Sequence, residues 1–201
     1  MTPLGARPAR RAARLPDDGR VPEPADDLPV VTAIHLAPGR RLPVRAVEHA
    51  VAEAGAGLVG DRYHGSRHRH VTVQSAEQLA EAAERLGAEV PASGTRRNLT
   101  VSRDSIVRTP GARARVGEVL LEVVRVAAPC RILDDEIGPG AAAALHDRAG
   151  TVFRVLEGGR VAVGDRYEEL PFEASEAAQR AAASRAAASA ASAASGHRPL
   201  P

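Results

Sequence analysis

The chain has 201 residues, 44% of them hydrophobic and only 2% aromatic, with 27 cations nearly balanced by 25 anions. That bounds it to one ordinary domain with a core of Val, Leu, Ile and Ala, and the charge balance points away from nucleic acid as a partner. Every cation is Arg; with no Lys the chain cannot form an internal Schiff base, which excludes the usual pyridoxal phosphate chemistry for this chain acting alone.

Residues 1–29 are rich in Pro, Arg, Asp and Ala without apolar periodicity and read as a disordered leader. Residues 1–14 share the Arg-rich, acid-free composition of an organelle transit segment, but a plain tail explains them as well. The domain is expected over residues 30–170. Val30 to His35 is a β-branched run ending at Pro38-Gly39, and Arg41 to Ala50 reads as a second strand across that turn. His70 to Val73 is β-rich. Ala76, Leu79, Ala83 and Leu86 then recur at helical spacing after Ser75, which forms a capping-box pattern with Gln78 and stops at Gly87.

Asn98 to Val101 is a further short strand, and Val116 to Ala127 alternates as two strands or one long bent one. Ile132 to Ile137 suggests a helical turn, and Pro139 opens a short helix through His146. Thr151 to Leu156 and Val161 to Val163 flank a Glu-Gly-Gly-Arg turn and predict a hairpin, with Tyr167 to Leu170 after it. Residues 171–201 are an Ala/Ser-rich tail with helix propensity but no large apolar face to dock. Many short strands with one clear helix predict a mainly β fold, a barrel or a curled sheet.

Cys130 is the single cysteine, which excludes an intrachain disulfide, an iron–sulfur cluster and a multi-thiolate zinc site. It follows Pro129 at the end of an apolar run and precedes Arg131, where a fixed positive charge favours the thiolate that ligates soft metals or carries persulfide sulfur. His64, His68 and His70 resemble a metal set, with His68 and His70 on one strand face, but the segment is also rich in Arg and reads equally as a solvated basic loop. The glycines of Gly57 to Gly65 have the wrong spacing for a dinucleotide fingerprint and suit a tight loop presenting Asp61, Arg62 and His64. Arg96-Arg97-Asn98 offers two guanidinium forks and an amide, suited to a phosphate and a heterocycle edge, or to plain solvent.

Taken in order, the Gly-Asp-Arg-Tyr-His-Gly loop ending at Gly65, the strand and helix from His70 to Leu79, Arg-Arg-Asn-Leu-Thr-Val from Arg96, Pro-Cys-Arg-Ile-Leu around Cys130 and the segment from Phe153 to Asp165 resemble the MOSC family. This is the domain found at the C-terminus of molybdenum cofactor sulfurases, in the mitochondrial amidoxime-reducing component and in small bacterial stand-alone proteins. The resemblance implies a MOSC-type β-barrel with a few short helices. It further implies that Cys130 carries sulfur or ligates molybdenum, with Ser75, Arg96, Asn98, His64 and Arg154 around the molybdenum cofactor (molybdopterin). Many bacterial relatives have Gly-Glu-Asn where Arg96-Arg97-Asn98 stands, which leaves Arg97 without a role carried over from the family.

Three functions follow as expectations. The first is a molybdenum cofactor-binding protein, an oxidoreductase acting on N-hydroxylated or similar small molecules with a separate redox partner protein as electron donor. The second is a sulfur carrier that accepts a persulfide on Cys130 from a cysteine desulfurase. The third is a module that binds an anion or a partner without catalysis and keeps Cys130 buried. No apolar run is long enough for a membrane span, so the expected location is cytoplasmic, away from any membrane.

Overall fold

The computed structural model describes residues 28–172, so the expected leader and tail lie almost wholly outside the described residues. The chain begins with β1 (Val31–Leu36), which turns at Pro38-Gly39 and pairs antiparallel with β2 (Arg45–Val47), as the β-branched run predicts. Next, β3 (His49–Glu53) and β4 (Gly57–Leu58) pair with each other. The second predicted strand is therefore two strands, separated at Glu48.

β5 (Val71–Ser75) runs directly into α1 (Ala76–Leu86). Ser75 is the N-cap, its Oγ accepting the Gln78 N–H at 2.9 Å, and Gly87 closes the helix in the left-handed region at φ 68°. The cap is one-sided: the Ser75 hydroxyl also donates to the Arg103 carbonyl, and Glu77 rather than Gln78 accepts a backbone N–H, that of Arg103 at 2.7 Å. Ser75→Ala removes a buried hydroxyl from both contacts. It should lower stability by about 1–2 kcal/mol, a shift of a few degrees in a thermal melt; no shift would show the cap to be redundant.

β6 (Leu99–Val101) returns parallel to β5 and antiparallel to β1. After it, β7 (Arg113–Val116) and β8 (Val119–Val126) form a tight hairpin through Gly117, and β8 pairs along its length with β9 (Thr151–Glu157). Between β8 and β9 lie α2 (Ile132–Glu136) and α3 (Ala141–Ala144). The second of these is shorter than the helix predicted from Pro139 to His146, because Gly140 at φ 90° cannot extend it backwards.

Two sheets result. Eight strands run in the order β11-β7-β8-β9-β5-β6-β1-β2, where β11 is Tyr167–Glu169; three more, β10-β3-β4, form a second sheet, where β10 is Gly159–Ala162. The hairpin predicted across residues 157–160 is not made: β10 leaves β9 and pairs with β3, with Val161 opposite Ala50. Nor do the sheets close into the expected barrel. The large sheet bends until its two sides meet only at a Val30–Arg166 bridge, flanked by bonds such as Val31 N–H to the Asp165 carbonyl.

Ile34, Leu58, Val73, Leu99, Leu121, Phe153 and Tyr167 fill the space enclosed by the sheets, and β-branched and aliphatic residues predominate there as the composition requires. A second, smaller cluster of Leu79, Ala82, Val90, Leu133 and Leu145 packs the three helices together. Cys130 lies at the seam, after β8 has left the sheet and just before α2 enters the helical cluster.

Candidate functional site

Asp61 organises the glycine-rich loop after β4. It is buried, and its carboxylate accepts the N–H groups of Ala37 and Tyr63, each at 2.9 Å, and the Asn98 side-chain amide at 3.0 Å. Those three bonds tie the β1–β2 turn, the loop and the entry to β6 into one support. Asn98 completes it: its carbonyl oxygen accepts from the Thr72 N–H at 3.0 Å and the Thr72 hydroxyl at 2.8 Å, and its amide also reaches the His35 carbonyl.

The support faces a cavity of about 670 Å³, within the size range of small-molecule sites. Seven arginines line it: Arg40 and Arg41 from the β1–β2 turn, Arg62 and Arg69 from the loop, Arg96 and Arg97 before β6, and Arg131 beside Cys130. Tyr63, Thr95, Ala128, Ile132 and Cys130 itself complete the wall, with no carboxylate among them. The Cys130 residue is exposed.

The balance of charge is lopsided. Arg41 pairs with Asp135 at 3.4 Å and Arg96 with Glu136 at 3.0 Å; among the described residues the other five have no carboxylate partner. Arg97 is buried and donates from Nε to the Ala149 carbonyl at 2.8 Å and from Nη2 to the Ala128 carbonyl at 3.3 Å. Burial pushes its pKa down to about 10, with Arg69 adding to the effect and a Cys130 thiolate charge opposing it, so it remains a cation at neutral pH. Burial also lowers Arg69, whose guanidinium lies 4.1 Å from the centre of the Tyr63 ring, while that of Arg62 lies 4.5 Å from it.

The side-chain Nε atoms of Arg62, Arg69 and Arg96 are buried without a hydrogen-bond partner. Orphaned cationic donors cost free energy in a folded protein unless something satisfies them. Arg96 also holds a left-handed backbone, φ 58°, which is unfavourable for any residue but glycine. Arg96 therefore combines backbone strain with a buried, unpartnered donor in the lining of the cavity.

The structure brings together Cys130, Arg96 and Arg97 of the residues singled out in the sequence, and Arg62 and Arg131 beside them. Asn98 stands behind the wall, in the Asp61 support. Ser75 caps α1, His64 bonds to Glu53 at 2.9 Å, and Arg154 pairs with Glu122; none of the three lines the cavity. His70 is buried with its Nδ1 accepting the Val155 N–H at 3.0 Å, and it precedes β5, so it shares no strand face with His68. Among the described residues no group of three His, Cys, Asp or Glu is placed to hold a metal. Sequence reasoning did not single out Tyr63, Arg69, Arg40 or Arg41 as site residues.

A family model for the MOSC domain matches residues 60–168. Among solved structures, YuaD from Bacillus subtilis is similar at 16% identity and a TM-score of 0.63, over 73% of this chain and 98% of that one. YiiM from Geobacillus stearothermophilus is similar at 17% identity and 0.59, over 71% and 75%, and YiiM from Escherichia coli at 18% and 0.56, over 73% and 72%. At these identities the likeness is one of fold. No curated protein sequence matches the chain significantly.

Proposed function

Since the chain belongs to the MOSC domain family, we propose that its arginine-lined cavity binds molybdenum cofactor, with Cys130 as the protein ligand to the metal. The observation that carries this reading is an exposed cysteine on the wall of a cavity with five arginines that have no carboxylate partner among the described residues. A phosphate-bearing, soft-metal cofactor needs those two donor types together: guanidinium forks for the phosphate and a thiolate for the metal. The guanidinium groups of Arg62, Arg69 and Arg97 line the cavity as donors, and Tyr63 lies among them.

The bound cofactor would supply two-electron redox chemistry toward a small substrate such as an N-hydroxylated compound, with electrons from a redox partner protein. This chain's residues would do the rest. Arg62, Arg69 and Arg97 would neutralise and orient the anion, the Asp61–Asn98 support would hold the two arginine-bearing segments in register, and Cys130 would fix the metal end. The reading is tested on full-length protein purified from a host that makes the cofactor. Molybdenum and oxidised-pterin fluorescence close to one equivalent per chain are expected; background levels of both in a correctly folded protein would overturn it.

The exposure of Cys130 also favours a second reading over one in which the thiol is a buried, inert residue. In that reading the protein is a sulfur carrier, with Cys130 holding a persulfide.

A further inference from the structure

The same cavity carries information about where such a sulfur would come from. A thiol that takes sulfur by docking against a desulfurase needs exposure and little else. Cys130 instead shares its wall with Arg62, Arg69, Arg97 and Arg131, none of which has a carboxylate partner among the described residues. Arg96, only 5% accessible, lines the same cavity and leaves its Nε without a partner. The cavity's size suits a small molecule, and its charge suits one carrying two negative charges.

We propose that Cys130 takes its sulfur directly from a small sulfane-sulfur donor capped by an oxyanion, of which thiosulfate is the simplest member. This inference rests on the sulfur-carrier reading of Cys130 and adds the donor. The Cys130 thiolate attacks the outer sulfur of thiosulfate, a new S–S bond forms to Sγ, and the bond between the two thiosulfate sulfurs breaks. Sulfite leaves with that electron pair as a dianion, and Cys130 is left as a persulfide anion, so charge and electrons balance without an added oxidant. Negative charge grows on the leaving sulfite, where guanidinium groups held in place before the reaction stabilise it most. Cyanide then removes the outer sulfur as thiocyanate and returns the thiolate.

The test uses full-length protein made in a host unable to synthesise the cofactor, so that nothing competes for Cys130. Incubation with thiosulfate is expected to add the mass of one sulfur atom at Cys130, to release one sulfite per chain, and to yield thiocyanate repeatedly when cyanide is present. Loading should slow with added salt and with sulfate, and should fall at least tenfold in Arg97→Leu. Should that variant fail to fold, Arg131→Gln at an exposed position provides the same comparison, with a smaller decrease expected. A parallel arm supplies a cysteine desulfurase and cysteine. Loading by that enzyme but not by thiosulfate overturns the proposed donor and leaves the carrier reading standing. Loading by neither overturns both, and thiosulfate loading at equal rates in wild type, Arg97→Leu and Arg131→Gln overturns the role assigned to the arginines.

Discussion

Cys130→Ser, purified from a cofactor-making host, is expected to contain molybdenum at background level while wild type contains close to one atom per chain. The change swaps sulfur for oxygen at an exposed position outside both apolar clusters, so folding stability should move by no more than about 0.5 kcal/mol. Metal retention should respond very differently, because the hydroxyl of Ser stays protonated and hard where the thiolate is anionic and soft. The arginines remain, so pterin without metal could persist weakly in the variant. Equal molybdenum in the two proteins, by elemental analysis after gel filtration, would falsify the ligand role of Cys130.

Asn98→Leu is expected to destabilise the protein by about 3–5 kcal/mol with or without cofactor, lowering the melting temperature by on the order of 10 °C. The substitution nearly conserves volume, yet it leaves the buried Thr72 N–H and hydroxyl, the His35 carbonyl and one oxygen of Asp61 without the partner they now share. Such networks fail as units, since each lost bond exposes another buried polar group to an apolar neighbour. The result also distinguishes two roles for this residue. A residue that only touched the cofactor would melt like wild type in the cofactor-free protein, so an unchanged melt there would return Asn98 to the direct contact that family resemblance implies.

Local patterns made much of the fold legible. The β-branched run of β1, the 3.6-residue spacing and cap of α1, and the alternation of β8 each lie within a dozen residues, and each appears where expected. What the sequence could not display is partnership. A Gly-Gly turn between two apolar runs suggests a hairpin, but β10 has a better site beside β3, far away along the chain, and no local pattern records that. For the same reason the opening between the two sides of the large sheet was not visible.

The site divides along the same line. Cys130 stood out because it is the single cysteine, and Arg96 because it matched a motif. Arg40, Arg41 and Arg69 did not, since an arginine in a sequence already rich in arginine looks like ordinary solvated surface. Only their convergence from separate segments distinguishes them from the rest: among the described residues two of the cavity's arginines are paired to acids and five are not. His64 and Arg154 illustrate the converse: both sit in suggestive motifs, yet each is already bonded to a carboxylate, Glu53 and Glu122 respectively.

The pairing of early strands with late ones bears on how the chain is made. While a ribosome is still translating, β3 lacks β10 and Val30, just before β1, lacks its bridge to Arg166, so the open strand edges face solvent until nearly the whole domain has emerged. The nascent chain thus passes through a stage that can be trapped by its neighbours on a crowded polysome, and a stop codon placed just before Gly159 should turn a well-behaved product into inclusion bodies.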